Sequence, residues 1–276
     1  MSRDLEVACE AARAGAAELS KRFVSSGPRI AAETKSTRRD LVTAADRAAE
    51  AAVLGVLRRA FPDDVIVAEE SAAETAPGRR TWIVDPLDGT VNYAHGMPLF
   101  CVSVGLVVDG SPRVGALVAP ALGESYEGER GAGARLNGVP IRVSATPELA
   151  DAVLATGFAY DVDRIPDPNF DNFERVVRSA RGIRRLGSAA LDLAWVACGR
   201  LDGFWELHLH PWDVAAAAVL LQEAGGRLTD MTGGGDWLWG EHLAASNGRF
   251  HDELLARLAR PSYARKSENG PRGAVP

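Results

Sequence analysis

Two carboxylates flank a proline and a leucine in Asp85-Pro86-Leu87-Asp88-Gly89-Thr90, directly after the apolar run Trp82-Ile83-Val84. Such a run reads as a buried strand, and packing gives it no reason to end in two acids. Pro86 fixes its own φ and pushes Asp85 toward extended geometry, so the two carboxylates are expected around one rigid turn. Oxygen donors on a rigid frame suit a hard divalent cation, and the Leu87 carbonyl is a further oxygen between them. The amides of Gly89 and Thr90 could face an anion. The plainer alternative is an acidic turn that caps the next segment.

Other acids repeat the pattern. Val65-Ile66-Val67-Ala68 is a short apolar run that ends in Glu69 and Glu70, and in open α/β sheets ligands gather at the carboxyl ends of strands. Asp213 follows Pro211-Trp212 at the start of a helical pattern, where the helix dipole by itself favours an acid. Thr43 and Asp46 stand at the start of another helix, and capping accounts for both. If these acids meet, each like-charge pair at about 4 Å costs on the order of 4 kcal/mol at an effective dielectric near 20. An empty cluster would then protonate or relax.

The elements that must position these residues alternate in type. An amphipathic helix runs from Asp4 to about Phe23 and is stopped by Ser25-Ser26-Gly27-Pro28; Ser36 to Asp40 is a polar loop. A long Ala-rich helix follows Leu41 to Asp46 and ends before Phe61-Pro62, and Ser71 to Arg80 is a polar connection. Beyond the acidic turn a strand covers Phe100 to Val108, and Asp109-Gly110 is a hairpin signal leading to a strand over Arg113 to Val118. Turns at Gly123, Gly128 and Gly131-Ala132-Gly133 suggest an antiparallel meander that finishes near Asn137-Gly138.

The second half alternates again. Strands are expected at Val153 to Phe158, Gly182 to Leu186, Gly203 to Leu207, near Leu228 and around Leu243 to Ala245. Helices are expected from Asn169 to Ala180, from a Ser188 cap to about Cys198, from Val214 to Glu223, and from Asp252. The chain reads as one domain over residues 1–260, with an N-terminal lobe at about 4–145, a C-terminal lobe at 146–260 and a disordered tail at 261–276.

Its 276 residues are enough to bury a sizeable core. A formal charge of −6 without a basic stripe argues against nucleic-acid binding. Cys9, Cys101 and Cys198 have no paired spacing for zinc or a disulfide framework, which points to a reduced, cytoplasmic compartment. Cys101 reads as a small core residue. Neither a secretory signal nor a membrane-spanning run is visible.

The acidic turn, the upstream Asp40-Leu41-Val42-Thr43-Ala44-Ala45-Asp46 and Glu69-Glu70-Ser71, and the downstream Trp212-Asp213-Val214-Ala215-Ala216 followed by Glu223-Ala224-Gly225-Gly226 together resemble the inositol monophosphatase family. The resemblance runs from about residue 4 to residue 259. It implies an α/β (α+β) fold, a five-layered αβαβα sandwich of alternating helical and sheet layers.

It also implies roles. Glu69, Asp85 and the Leu87 carbonyl would hold one magnesium ion, Asp85, Asp88 and Asp213 a second, and Glu69 a third, weaker one. Thr90, paired with Asp46, would help Glu69 orient and deprotonate an attacking water. Asp88, Gly89, Thr90, Gly187, Ser188, Ala189, Glu206 and Asp213 would contact the substrate. Thr90 to Pro98 looks like the inositol phosphatase branch, and Gly203-Phe204-Trp205-Glu206 resembles the segment whose glutamate binds ring hydroxyls. For Glu206 the plain alternative is a solubilising charge at a strand end. His208 and His210 are expected to shape the pocket, since magnesium prefers oxygen ligands.

The expected activity is therefore a magnesium-dependent phosphomonoesterase acting on a small-molecule phosphate ester such as myo-inositol monophosphate. Histidinol phosphate, fructose bisphosphate and 3'-phosphoadenosine phosphates are alternatives, and lithium sensitivity and a homodimer are further expectations from the resemblance. A reading of another class is a regulatory binding protein that keeps the fold, as in a bacterial relative associated with transcription antitermination through RNA polymerase.

Overall fold

The computed structural model describes residues 1–23, 30–35, 41–71, 79–165 and 167–258. The helix stop at Ser25–Pro28, the polar loop at Ser36–Asp40, most of the Ser71–Arg80 connection and the tail lie outside them. In chain order the first elements are α1 (Arg3–Arg22), β1 (Ala32–Thr34), β2 (Leu41–Thr43), α2 (Ala44–Ala60), β3 (Val65–Ala68), β4 (Thr81–Asp88) and α3 (Thr90–Ala94). The meander is β5 (Cys101–Val108), β6 (Ser111–Ala119), β7 (Glu124–Glu129), β8 (Gly133–Leu136) and β9 (Val139–Pro140). There follow β10 (Val153–Thr156), α4 (Phe170–Val177), β11 (Gly182–Arg184), α5 (Ala189–Ala197), β12 (Gly203–Leu207), α6 (Pro211–Glu223), β13 (Arg227–Thr229), β14 (His242–Ser246) and α7 (His251–Arg257).

A seven-stranded sheet runs in the order β3-β4-β5-β6-β7-β8-β9 and a five-stranded sheet in the order β11-β10-β12-β14-β13; β1 and β2 form a small pair of their own. In the larger sheet β3 pairs in parallel with β4 and the remaining neighbours are antiparallel, as the hairpin signals require. Asp109 and Gly110 both take positive φ, 50° and 75°, at the tip of the β5–β6 hairpin.

The layers follow from alternation along strands that are buried on both faces. Trp82, Val84, Val102, Val104 and Leu106 pack with α1 and α2, whereas Ile83, Val107 and Leu117 face the other way, onto α5 and α6. Phe204, Leu243 and Ala245 meet α5 and α6 from the second sheet, and Trp205, Ala244 and Leu154 pack outward with residues of α4 and α7. Helix pair, sheet, helix pair, sheet and helix pair make the expected αβαβα sandwich.

The middle helix layer sits unusually close to the larger sheet. A Cβ on Gly115 would stand 2.1 Å from the Ala216 carbonyl oxygen, so the glycine in β6 and the Ala-rich middle of α6 fit only together. That contact fixes the axial position of α6 and thereby of Asp213 in its first turn.

Two local expectations need correction. Asp85 to Asp88 do not form a turn beyond the strand: β4 continues through them, with Asp85 opposite Ser103 and Asp88 opposite Cys101 and a register shift between. Pro86 has no N–H to give the ladder, and the irregularity at this point accommodates it. Gly128 is not a turn residue but lies within β7, where it faces the Leu220 side chain of α6.

Candidate active site

The irregular end of β4 aims its acids at the starts of two helices. Asp85 Oδ1 accepts from the Leu87 amide at 2.9 Å, which locks the first carboxylate against the bulge. Asp88 Oδ2 accepts from the Ser188 hydroxyl at 2.5 Å and from the Ala190 amide at 2.8 Å, at the start of α5. Ser188 occupies the N-cap position of α5, but its hydroxyl makes no cap bond; it serves Asp88 instead, contrary to the capping role expected of it. Asp213, in the first turn of α6, accepts from the His210 amide at 2.6 Å.

Among the described residues, ligand oxygens of Asp85, Asp88 and Asp213 all lie within 4.8 Å of one another. Glu69 reaches the same cavity from the end of β3, with one oxygen held by the Lys35 ammonium at 2.8 Å. Lys35 also pairs with Glu70. Its own pKa is lowered by burial, but the two carboxylates outweigh that and hold it above the usual lysine range.

The electrostatics are those of uncompensated acids. Burial, then the charges of Glu69, Asp88 and Asp213, push Asp85 well above the ordinary carboxylate range. Asp213 rises for the same reasons, burial first and Asp88 next. Asp88 goes up to about 6, because burial outweighs its hydrogen bonds from Ser188 and Ala190. The donors are all oxygen, buried or half-buried, and mutually repelling, a set that fits a hard divalent cation.

Thr90 and Asp46 meet beside this cluster. Thr90 Oγ1 lies 3.2 Å from Asp46 Oδ1 and 3.0 Å from the Leu87 carbonyl oxygen, and can donate to either. Asp46 is anchored on its other oxygen by the Thr43 amide at 2.8 Å and the Thr43 hydroxyl at 2.5 Å, completing the reciprocal cap of α2. Capping was the plain reading for Thr43 and Asp46, and Asp46 caps while also meeting Thr90. Gly89 has φ 92°, and a Cβ there would stand 2.8 Å from the Leu99 carbonyl, so only glycine carries the chain from β4 into α3.

A cavity of about 520 Å³ joins these groups to the second sheet. It is lined by Glu69, Asp85, Leu87, Asp88, Gly89, Thr90 and Asp213, by Gly187, Ser188 and Ala189 at the start of α5, by Glu206 in β12, and by His208 and His210 after it. Among the residues expected at the site, only Asp46 stands behind that wall, reaching it through Thr90. Burial drives the Glu206 carboxyl up to about 8, against the pull of Arg185. His208 Nε2 lies 2.9 Å from the Asp167 carbonyl, and the His210 ring stacks on Trp212 at 4.6 Å. Cys101 is fully buried with Sγ 3.9 Å from Asp88 Oδ2.

A profile of the inositol monophosphatase family matches residues 1–263. The chain belongs to that family. The inositol-1-monophosphatase of Synechocystis sp. is 43% identical over 256 residues, 92% of this chain and 88% of that protein. The Nus factor SuhB of Pseudomonas aeruginosa is 40% identical over 261 residues, 92% of this chain and 95% of its own. The solved structure of inositol monophosphatase from Anabaena (Nostoc) superposes with a TM-score of 0.83 at 43% identity, covering 92% of this chain and 94% of that one. As an inositol monophosphatase family member this protein is a phosphatase, and none of its helices, among the described residues, is long and apolar enough to cross a membrane.

Some pocket residues of this phosphatase escaped the sequence reading. No local pattern marks Lys35, and the acid it pairs with lies 34 positions away. Arg185, Tyr160 and Gly157 line the cavity from strand ends and a loop, where no local pattern marks them. Asp192 also lines it; an acid in the first turns of a helix reads as a dipole partner, which conceals any other use.

Proposed function

We propose that this phosphatase hydrolyses monophosphate esters of small polyols, myo-inositol monophosphate foremost, with magnesium as its cation. The observation that carries the reading is a single cavity lined both by the clustered carboxylates Asp85, Asp88 and Asp213 and by Glu206. The cluster suits cations and a phosphate, and Glu206 suits hydroxyl groups.

Glu69, Asp85 and the Leu87 carbonyl would hold one ion, Asp85, Asp88 and Asp213 a second, and Glu69 a third, weaker one. When bound, magnesium supplies Lewis acidity at the water that attacks, at the phosphoryl oxygens and at the leaving alkoxide. Glu69 and Thr90 orient the attacking water. Thr90 Oγ1 accepts its proton while passing its own to Asp46 Oδ1, whose pKa burial raises above the ordinary aspartate value. The new oxygen–phosphorus bond forms in line with the one that breaks, and the leaving alkoxide takes a proton from solvent water and departs as the alcohol. Gly89 and Thr90 face the phosphate; Gly187, Ser188 and Ala189 line the alcohol's path, and Glu206 binds its hydroxyls. Direct attack by water uses no nucleophilic side chain, in keeping with the burial of Cys101.

Phosphate release from a panel of esters with magnesium tests this reading: inositol 1-phosphate, histidinol phosphate, fructose 1,6-bisphosphate and adenosine 3',5'-bisphosphate. The polyol monophosphate is expected to lead. Asp88→Asn removes a ligand charge and is expected to lower turnover by roughly three decades, since metal stabilisation of the transition state is worth several kcal/mol. Turnover that survives this change would sink the mechanism. A homodimer and lithium inhibition belong to the same proposal, and sedimentation and lithium titration of turnover check them.

A further inference from the structure

Asp192 lines the cavity from α5, and no step above uses it. It is 1% exposed, and its Oδ1 has no hydrogen-bond partner. A dipole role explains an exposed acid in an early helical turn, but not one that has been stripped of water and left unpaired. Buried polar groups in folded proteins are nearly always satisfied, so a buried carboxyl on a cavity wall with an unsatisfied oxygen calls for a partner that enters the cavity.

Its surroundings say what kind of partner. Glu206 lines the same cavity, with its carboxyl seated on Gly157: a Cβ there would stand 2.1 Å from both carboxylate oxygens. Arg185 also lines the cavity, and its charge acts on Asp192 and Glu206 alike, lowering pKa values that burial raises. These residues therefore offer two carboxyl groups and one guanidinium. Hydroxyl groups can donate to the former and accept from the latter. The charge of Asp88 acts on both acids as well, and the acids together disfavour a second phosphate.

We infer that Asp192 is a specificity-determining residue of this site, its carboxyl group accepting a hydrogen bond from a hydroxyl of a polyol ester beside the hydroxyl that Glu206 holds. The inference rests on the polyol phosphatase reading and adds to it a second hydroxyl contact. A site built to hydrogen-bond a substrate hydroxyl discriminates strongly against an ester that lacks it, because its buried group is then left unpaired.

The test compares kcat/KM for inositol 1-phosphate and for p-nitrophenyl phosphate, whose leaving group carries no free hydroxyl, in the full-length protein with magnesium. Asp192→Ala is expected to lower the selectivity ratio between the two at least tenfold, chiefly through KM for the inositol ester. Asp192→Asn keeps an acceptor oxygen and is expected to stay within about threefold of the wild-type ratio. Both variants should melt no lower than the wild type, since each removes an unpaired buried carboxyl. Equal losses on both substrates, or a lowered melting temperature with an unchanged ratio, would overturn the inference and make Asp192 a structural residue. The wild type by itself tests the underlying reading: if it hydrolyses p-nitrophenyl phosphate but no polyol ester, that reading and this inference both fall. If it prefers the polyol ester and Asp192→Ala leaves the ratio intact, only the inference falls.

Discussion

Thr90 carries three functions on one hydroxyl and one backbone position: it opens α3, it lies within hydrogen-bond distance of the Leu87 carbonyl, and it meets Asp46. Thr90→Val keeps the shape and removes the hydroxyl. It is expected to cut kcat by a factor on the order of 10² to 10⁴, the usual range for a positioned proton-transfer group, with KM little changed. Thr90→Ser should recover most of that loss, and steady-state kinetics of the pair checks it. Equal activity in Thr90→Val and wild type would remove Thr90 from the proton path.

Among the elements, α6 is the most constrained, because it fills the middle layer and delivers Asp213. Gly115→Ala places a methyl group where the Ala216 carbonyl oxygen already stands, at 2.1 Å. Backbone cannot swing aside as a side chain can, so the substitution is expected to destabilise by about 3 kcal/mol, the upper end of the usual overpacking cost. Thermal melting measures this, and the displaced Asp213 should weaken magnesium binding in parallel. Gly157→Ala is a contrasting case. The atoms it meets are the far end of the flexible Glu206 side chain, so the carboxyl turns away and the fold survives. Its melting temperature should stay close to wild type while KM for the polyol ester rises; a large drop in melting temperature would contradict this assignment.

At the scale of the whole molecule, the acids gathered from β3, β4, α5, β12 and α6 make stability depend on pH and on cations together. Asp85, Asp192 and Asp213 sit well above their ordinary values, Asp88 at about 6 and Glu206 at about 8, burial being the first cause in each. For groups whose folded pKa is raised, the folded state binds more protons than the unfolded one. Their contribution is fully present below about pH 4, the unfolded value, and is lost as pH rises through the folded values toward 8. In EDTA the protein is therefore expected to melt progressively lower from pH 5 to pH 8. Magnesium should oppose that loss most strongly at pH 8, where its ligands are deprotonated. A hundredfold excess over Kd is worth about 2.7 kcal/mol. Melting curves at pH 5, 6.5 and 8 with and without magnesium check the sign; identical shifts at every pH would show that the cluster does not bind the ion.

The sequence by itself determined the strands that end in acids, the Thr43–Asp46 cap, the Asp109-Gly110 hairpin and the order of helices and strands. These depend on periodicity, capping and turn chemistry, which act over a few residues and so are written where they act. The similarity of widely spaced motifs to a family supplied the five layers and the ligand set that is proposed. Only the tertiary structure decided which distant groups share a partner. Ser188, a cap by its local pattern, gives its hydroxyl to Asp88, 100 positions away, because α5 is packed against the end of β4. Lys35 meets Glu69 and Glu70, 34 and 35 positions away. Asp192, a dipole partner by position, is instead buried and unpaired on the cavity wall. The register shift within Asp85 to Asp88 likewise exists because β5 continues alongside both acids. Side-chain partners and burial are set by how layers stack, and that stacking couples residues whose separation along the chain carries no local signal.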